Sequence, residues 1–247
     1  MMLQRVVTPE VLDGLAAHDP AAMRSRRDLR RVHRAMRTPS IMLAGLQDMT
    51  LWRREVTALR VLELGAGDGS LMLGVAPSLA RAWPRVELTL LDVQALVEPA
   101  TIRRFAELGW TARSEVADVL DWAAAPTDPL LRGGSPARWD VIVANLFLHH
   151  FEGAQLASVL GAIAARTDRF FACEPRRAWL ALAGSHLVGA LGANAVTRED
   201  AVLSVHAGWR GHELSVLWPA IGEEWQLDEY DAGLFSHCFR AQRFEPA

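Results

Sequence analysis

A glycine-rich segment with one acidic residue is the part of the sequence with the clearest chemical meaning. An apolar run enters the segment Glu63-Leu-Gly65-Ala66-Gly67-Asp-Gly69, and a helix-like stretch follows at once. Glycines are needed where a chain turns sharply and where its backbone must approach a ligand without a Cβ in the way. Loops that bind a pyrophosphate offer their free amides to it, but the carboxylate of Glu63 would repel a phosphate. Glu63 suits instead a ligand that carries a cationic amino group.

Acidic residues also end the next two predicted strands. Asp92, followed by Val93, ends the run VELTLL, and Asp118, followed by Val119, ends the run SEVA. The acid after the second strand is placed to accept hydrogen bonds from both hydroxyls of a ribose, and the acid after the third could accept one from an adenine amino group. Each acid taken alone could equally be a helix N-cap or a loop charge. Three acids at successive strand ends favour a shared ligand site.

Two histidines and a glutamate follow the ends of two later strands. The fourth predicted strand runs into Asn145-Leu-Phe-Leu-His149-His150, and the fifth runs into Glu174. The carboxyl ends of neighbouring parallel strands lie at one edge of a sheet, so these side chains are expected at one cleft. A phenol with a pKa of about 10 benefits from a base, and a neutral imidazole oriented by a carboxylate is suitable. We predict His149 as that base, Glu174 as its partner and His150 as the alternative, unless both histidines only cap and pack a helix.

Strand-like and helix-like stretches alternate from Leu59 onward and place these residues on a sheet. Such alternation predicts a parallel sheet with helices on both faces. Near the end, the runs WQLDEYDAGLF and SHCFRAQRF have almost no helix between them and are expected to pair as a hairpin. The expected fold is therefore α/β, with a seven-stranded, mostly parallel sheet and an antiparallel hairpin at its end. The five parallel strands are expected at residues 60–65, 86–92, 111–118, 139–146 and 169–175.

Two segments outside this alternation are predicted to act as lids. Residues 1–58 are expected to form an N-terminal helical extension in front of the sheet domain, residues 59–247. Within the extension, Met23–Met36 predicts a helix in which arginines surround a narrow apolar stripe. This face is either solvated or a docking site for an acidic partner or a phosphorylated carrier group. The insertion 176–219 is expected to be the helical lid over the acceptor.

The composition limits the classes of function. The chain has 26 basic and 29 acidic residues and a net charge of −3, which argues against a nucleic-acid binder because such proteins neutralise many phosphates. Neither a signal peptide nor a membrane span is expected, since the longest apolar stretch, Ala178–Val196, contains His186 and three glycines. The two cysteines and the remaining histidines show no regular metal-binding spacing. We therefore expect no metal and a cytoplasmic location.

The ordered series of motifs resembles the class I S-adenosylmethionine-dependent methyltransferases. The resemblance rests on ExGxGxG at Glu63–Gly69, on Asp92 and Asp118, and on DVIVANLFLHHF at 140–151. It implies a Rossmann-like sheet and S-adenosylmethionine (SAM) as the cofactor, with S-adenosylhomocysteine (SAH) as its product. It also implies that the glycine loop and Glu63 bind the methionine end. The remaining implied cofactor contacts are Asp92 and Val93 at the ribose, Asp118 and Val119 at the adenine, and Asn145 after the fourth strand.

A second resemblance concerns the acceptor. Residues 192–219 are similar to bacterial methyltransferases associated with polyketide biosynthesis. This implies a small-molecule acceptor from secondary metabolism, methylated on a phenolic oxygen or an activated carbon. Two alternatives stay open: a SAM-binding protein without methyl transfer, and a methyltransferase that acts on a carrier-bound or protein substrate.

Overall fold

One sheet of seven strands organises the computed structural model, which describes residues 3–47, 49, 58–126, 138–219 and 225–244. In chain order the strands are β1 Leu59–Leu64, β2 Val86–Asp92, β3 Trp110–Val116, β4 Val141–Asn145, β5 Arg169–Pro175, β6 Trp225–Ala232 and β7 Ser236–Arg243. Their order across the sheet is β3-β2-β1-β4-β5-β7-β6. The first five strands are parallel, whereas β7 runs antiparallel to both β5 and β6. The predicted seven-stranded Rossmann-like sheet with its terminal hairpin is confirmed.

Helices cover both faces of the sheet and its ligand-binding edge. The helix α1 begins at Pro20, where the Asp19 carboxylate accepts hydrogen bonds from the amides of Ala21 (2.7 Å) and Ala22 (3.2 Å). Such a cap stabilises the first turn, and proline at the first position lacks only an amide that the helix does not use. The helices are α1 Pro20–Ala35, α2 Thr38–Gln47, α3 Ser70–Leu79, α4 Pro99–Glu107, α5 Val119–Ala124, α6 Gly153–Arg166, α7 Trp179–His186, α8 Ala195–Ala207 and α9 Glu213–Leu217, with 3₁₀ turns at Leu12–Gly14, Leu148–His150 and Val188–Leu191.

The long apolar stretch 178–196 contains α7, a 3₁₀ turn and only the first two residues of α8. The helix α7 ends at His186, a 3₁₀ turn follows, and α8 begins after Asn194, whose side chain accepts a hydrogen bond from the amide of Thr197 (2.9 Å). The polar cap residue therefore marks a helix start inside the apolar stretch. Among the residues that the structure describes, no helix is long and apolar enough to cross a membrane.

Two apolar layers, one on each face of the sheet, hold the strands in place. Val61 and Phe171 point to the face covered by α2 and α3, whereas their neighbours Leu62 and Phe170 point to the face covered by α5 and α6. Successive side chains of a strand point to opposite faces, and a parallel sheet covered on both sides is apolar throughout. Each fully buried large side chain contributes about 1.5–3 kcal/mol. The strand ends that carry the candidate site therefore rest on a rigid frame.

The first residues form an extended segment, 3–18, which we call the N-terminal strap. The Asp200 carboxylate on α8 accepts a hydrogen bond from the amide of Val11 (2.7 Å). The Arg5 guanidinium donates one to the carbonyl of Phe151 (2.9 Å). These contacts hold the strap across the carboxyl end of the sheet, next to the 3₁₀ turn. The division of the chain at residue 59 and the lid roles of 1–58 and 176–219 stay predictions, and residues 1–2, 48 and 50–57 lie outside the described residues.

Candidate active site

A cavity of about 820 Å³ opens at the carboxyl ends of β1, β2 and β4. Open α/β sheets bind their ligands at this edge, and the volume suits a ligand the size of a nucleoside derivative together with a second small molecule. The helices α1, α7 and α8 and the N-terminal strap cover the cavity. The cavity wall includes most of the residues predicted from the sequence, namely Glu63, Gly65, Ala66, Gly67, Asp92, Val93, Asp118, Val119, Asn145, His149 and His150.

The glycine loop between β1 and α3 adopts a backbone that requires glycine. Gly65, Gly67 and Gly69 have φ angles of +65°, +57° and +72°, a region that other residues rarely adopt. A Cβ at Gly65 would lie 2.3 Å from the Phe147 ring, whereas a Cβ at Gly67 would meet nothing within 4 Å. At Gly67 the bare backbone therefore borders open space, so a ligand can approach it closely. Gly69 does not line the cavity and shapes the turn into α3.

Two buried oxygens at the inner end of the cavity have no hydrogen-bond partner. The Glu63 side chain is only 2 % exposed, and its Oε2 atom is unpaired, as is the Oδ1 atom of Asn145. Burial, together with the nearby charges of Asp68 and Asp92, raises the pKa of Glu63 to about 8. An unpaired buried acceptor costs about 1–3 kcal/mol. Both oxygens therefore suit a cationic donor in the cavity.

The two other predicted acids occupy different environments. Asp92 accepts hydrogen bonds from the amides of Gly67 (2.8 Å) and Gln94 (2.9 Å), so it joins the end of β2 to the glycine loop. Its carboxylate has about four lone-pair sites, so it retains acceptor capacity for a ligand. Asp118 is exposed and caps α5 by accepting from the amide of Leu120 (2.8 Å). The N-cap alternative for Asp118 is thus realised, and its contact with an adenine stays a prediction.

His149 and Glu174 are in contact, as the spacing of their strands suggested. Glu174 is fully buried and accepts hydrogen bonds from the amides of Phe147 (3.0 Å) and Leu148 (2.9 Å) at the start of the 3₁₀ turn. Its Oε2 atom lies 2.8 Å from Nδ1 of His149. Glu174 does not line the cavity. It therefore acts on the site by fixing the orientation of the imidazole, which makes it a positioning residue.

The second ring nitrogen of His149 contacts Glu10, a residue that the sequence analysis missed. Oε1 of Glu10, in the N-terminal strap, lies 3.2 Å from Nε2 of His149 and also accepts a hydrogen bond from Ser204. Burial lowers the pKa of His149, but the hydrogen bonds and charges of Glu10 and Glu174 outweigh it and raise the pKa to about 9. With both carboxylates in contact with its ring, His149 therefore favours the imidazolium form at neutral pH.

His150 lies against His149 but has the opposite protonation preference. The two rings are perpendicular, with centroids 4.2 Å apart. Burial and the neighbouring His149 lower the pKa of His150 to about 4. Its Nδ1 lies 3.3 Å from Oδ2 of Asp13 and its Nε2 lies 3.7 Å from Oε1 of Glu10. Within the described part of the chain, Glu10, His149 and His150 are the group whose ligand atoms could hold a metal ion, although the sequence predicted none.

Apolar side chains from several elements form the rest of the cavity wall. Met36 follows α1, Phe147 precedes the 3₁₀ turn, Val188 lies between α7 and α8, and Phe235 lies between β6 and β7. These side chains add apolar surface to the same cavity that His149 lines. Such a wall favours a flat or apolar acceptor over a highly charged one.

Residues 62–168 match the family model of a methyltransferase domain. The matched segment contains the glycine loop, Asp92, Asp118 and the two histidines. The match covers 107 of the 247 residues, less than half of the chain, and it makes this segment similar to a methyltransferase domain. None of the curated proteins compared with the chain matches it.

Solved structures of methyltransferases share the fold at low sequence identity. An O-methyltransferase family protein from Burkholderia thailandensis is 17 % identical with a TM-score of 0.57, over 92 % of this chain and 61 % of that one. The plantazolicin methyltransferase BpumL in complex with SAH is 13 % identical with a TM-score of 0.55, over 91 % of each chain. The citrinin polyketide synthase CMeT domain is 19 % identical with a TM-score of 0.53, over 76 % of this chain and 47 % of that one. The chain thus spans less than two thirds of the first and third of these structures.

Proposed function

We propose that the protein is a SAM-dependent methyltransferase that methylates a small-molecule acceptor. The observation that carries this proposal is one cavity that is lined both by the unpaired acceptors of Glu63 and Asn145 and by Glu10 and His149, whose ring also contacts Glu174. A cationic group satisfies the first pair, and an acceptor with a dissociable proton suits the second. The methyltransferase domain match over 62–168 supports the reaction class.

The sheet side of the cavity would bind the cofactor, which supplies an electrophilic methyl group. Glu63 and Asn145 would accept hydrogen bonds from the ammonium of the methionine end, and the backbone of Gly65–Gly67 would lie along it. Asp92 would accept from the ribose hydroxyls. Val93 would lie beside Asp92 at the ribose, and Asp118 and Val119 would contact the adenine.

The other end would prepare the acceptor for attack on the methyl group. His149 must lose its proton before it can accept one, and Glu10 holds that proton in place. An acceptor hydroxyl that replaces Glu10 at Nε2 removes a hydrogen bond and a negative charge, so it lowers the pKa of His149 toward its usual range and the imidazolium releases its proton to solvent. The imidazole then takes the acceptor proton while Glu174 keeps the ring oriented. His150, which is neutral at pH 7, is the alternative base.

The apolar wall supports a phenolic or polyketide-like acceptor, methylated on oxygen or on an activated carbon. Structures that share the fold include enzymes of natural-product chemistry, since one is a plantazolicin methyltransferase and another a polyketide synthase domain. Alignment of the acceptor with the methyl group is expected to contribute most of the rate.

A carrier-bound acceptor is the second candidate, and one surface feature favours it. The outer face of α1 exposes arginines that would attract an acidic carrier protein or its phosphate group. Two of them, Arg30 and Arg31, already pair with Asp68 (2.7 Å) and Asp28 (2.8 Å). The exposed arginines of this face are Arg24, Arg27, Arg30, Arg31, Arg34 and Arg37.

A transfer assay with methyl-labelled SAM and a panel of phenols tests the proposal. We expect label in an organic product and a rate about 10²–10⁴-fold lower in His149→Ala. The matched control is His186→Ala, which changes an exposed histidine of α7. Label transfer that survives EDTA supports a proton-accepting imidazole. Loss of activity with EDTA and recovery with a divalent ion would instead assign Glu10, His149 and His150 to a metal. Tight SAM binding without transfer to free or carrier-bound acceptors would support a binding protein.

A further inference from the structure

One half-buried histidine that lines the cavity has no role in the function proposed above. His33 lies in α1, and its Nε2 atom is buried without a hydrogen-bond partner. Burial lowers the pKa of His33 to about 4, against the opposing charge of Asp68. A neutral imidazole has one N–H donor and one acceptor nitrogen, and an unpaired polar atom in a buried place costs free energy. The free nitrogen therefore suits a polar group of a bound ligand.

The helix α1 places His33 over the glycine loop rather than at the acceptor end. One turn earlier, Arg30 donates to the Asp68 carboxylate of that loop at 2.7 Å. Residues three apart on a helix lie on the same face, so the side chain of His33 faces the loop, as that of Arg30 does. His33, Glu63 and Gly67 all line the same cavity. Glu63 approaches this region from the sheet, and His33 approaches it from the lid helix.

The charges around the loop determine which ligand group needs His33. The charges of Asp68 and Asp92 repel a carboxylate here, whereas an ammonium bound beside Glu63 would favour the charged form of that side chain. The methionine end of the proposed cofactor carries both groups on one carbon. Its ammonium has acceptors at Glu63 and Asn145, so its carboxylate needs a donor from the opposite wall. His33 is a ring donor on that wall that is not used elsewhere in the described structure.

We propose that His33 binds the carboxylate of the cofactor's methionine end and thereby joins the lid helix to the cofactor. This inference rests on the proposed function and adds a residue from outside the matched segment 62–168. Cofactor binding then stabilises the closed position of α1, because a ligand group replaces the missing partner of His33. The bound carboxylate also favours the protonated imidazole, which strengthens the contact.

Titration calorimetry with SAM and with decarboxylated SAM isolates this contact, because the two ligands differ only in the carboxylate. We expect the wild type to bind SAM about 10- to 100-fold more tightly than decarboxylated SAM. In His33→Ala that ratio should fall to within about three-fold, through weaker binding of SAM, while the affinity for decarboxylated SAM stays unchanged. His33→Gln, whose amide can donate from a similar place, should restore part of the preference. His18→Ala, in the exposed part of the strap, should behave as wild type.

Each other outcome overturns a defined part of the account. An equal loss for both ligands in His33→Ala, with an unchanged melting temperature, would show that His33 only packs in the lid. An unchanged preference for SAM would assign the carboxylate to another donor. If the wild type binds neither ligand, the proposed function itself fails, independently of His33.

Discussion

His149 is held at both ring nitrogens by carboxylates, and this determines when it can act as a base. Glu174 fixes Nδ1 at 2.8 Å, and Glu10 occupies Nε2 at 3.2 Å. Glu174 is immobile because it also accepts from backbone amides of the 3₁₀ turn, whereas Glu10 belongs to the N-terminal strap. In the proposed reaction, exchange of Glu10 for an acceptor would lower the pKa of His149, so that the ring loses its proton to solvent and can act as a base.

Removal of the Glu10 charge is expected to move the titration of His149 to lower pH. The pKa of His149 is about 9 because the contributions of Glu10 and Glu174 outweigh burial, so its imidazolium persists through neutral pH. In Glu10→Gln one of those two charges is lost and burial is opposed less, so the ring should deprotonate at a clearly lower pH. Nitrogen NMR titration of the histidine side chains measures this directly.

The control for this change is Glu199→Gln, which alters an exposed carboxylate of α8. His149 should titrate in it as in the wild type. An imidazole that titrates near its ordinary value of about 6.5 in all three proteins would contradict the two-carboxylate arrangement. In an active enzyme, the rising limb of kcat/KM against pH should shift to lower pH in Glu10→Gln.

Site residues that follow the strands could be predicted from the sequence, whereas those that reach the site from distant segments could not. Glu63, Asp92 and Asn145 could be found because each follows a strand that points into one edge of the sheet, where the topology fixes their positions. Glu10 could not be found, because it meets His149 across 139 residues from an extended segment without hydrophobic periodicity. His33 lies among the arginines of α1, where a histidine looks like one more solvated residue. Only packing shows that its ring turns into the cavity.

At the scale of elements, α2 shows how closely a helix lies on the sheet. Gly45 in α2 faces the buried ring of Phe171 on β5, and a Cβ at Gly45 would lie 2.1 Å from that ring. The ring lies in the apolar layer that α2 and α3 complete. The helix can approach so near only because position 45 has no side chain.

Substitution of two helix glycines by alanine should have opposite effects on stability. Gly45→Ala should lower the free energy of unfolding by about 1–3 kcal/mol, because the added methyl forces Phe171 or the helix to shift. Gly161→Ala in α6 meets nothing within 4 Å and should raise it by about 0.5–1 kcal/mol through helix propensity. Denaturant unfolding of both variants measures the difference. A stabilised Gly45→Ala protein would contradict the packing of α2 on β5.

Elements with strong patterns were predictable, and elements with mixed patterns were not. The strand–helix alternation from β1 to β5 and the terminal hairpin follow from apolar runs separated by turns, and the structure confirms them. The stretch 178–196 is apolar throughout, so its composition alone does not show the break between α7 and α8. The cap at Asn194 marks it. The strap has no periodicity, and hydrogen bonds to other elements, such as Val11 to Asp200, determine its path.

At the scale of the whole molecule, the proposed cofactor and acceptor sites share one cavity, which both the sheet edge and the predicted lid segments line. The edge at β1, β2 and β4 presents the glycine loop and three of the predicted cofactor residues, Glu63, Asp92 and Asn145. The strap, α1 and α8 close over the same edge and carry Glu10 and His33. Ser25 of α1 and Thr197 of α8 share a buried hydrogen bond of 2.7 Å. The helices α1 and α8 therefore pack against each other beside the cavity that both line, as their predicted role as a lid requires.

The central claim is that the cavity binds SAM, and calorimetric titration of the purified protein with SAH tests it most directly. We predict micromolar binding by the wild type and binding at least about ten-fold weaker in Asp92→Ala, which loses the acceptor for the ribose hydroxyls. Asp121→Ala, an exposed acid of α5, should bind as the wild type does. Absence of SAH binding by the folded wild-type protein would contradict the account. If Asp92→Ala bound SAH as tightly as the wild type does, Asp92 would not be the residue that binds the ribose.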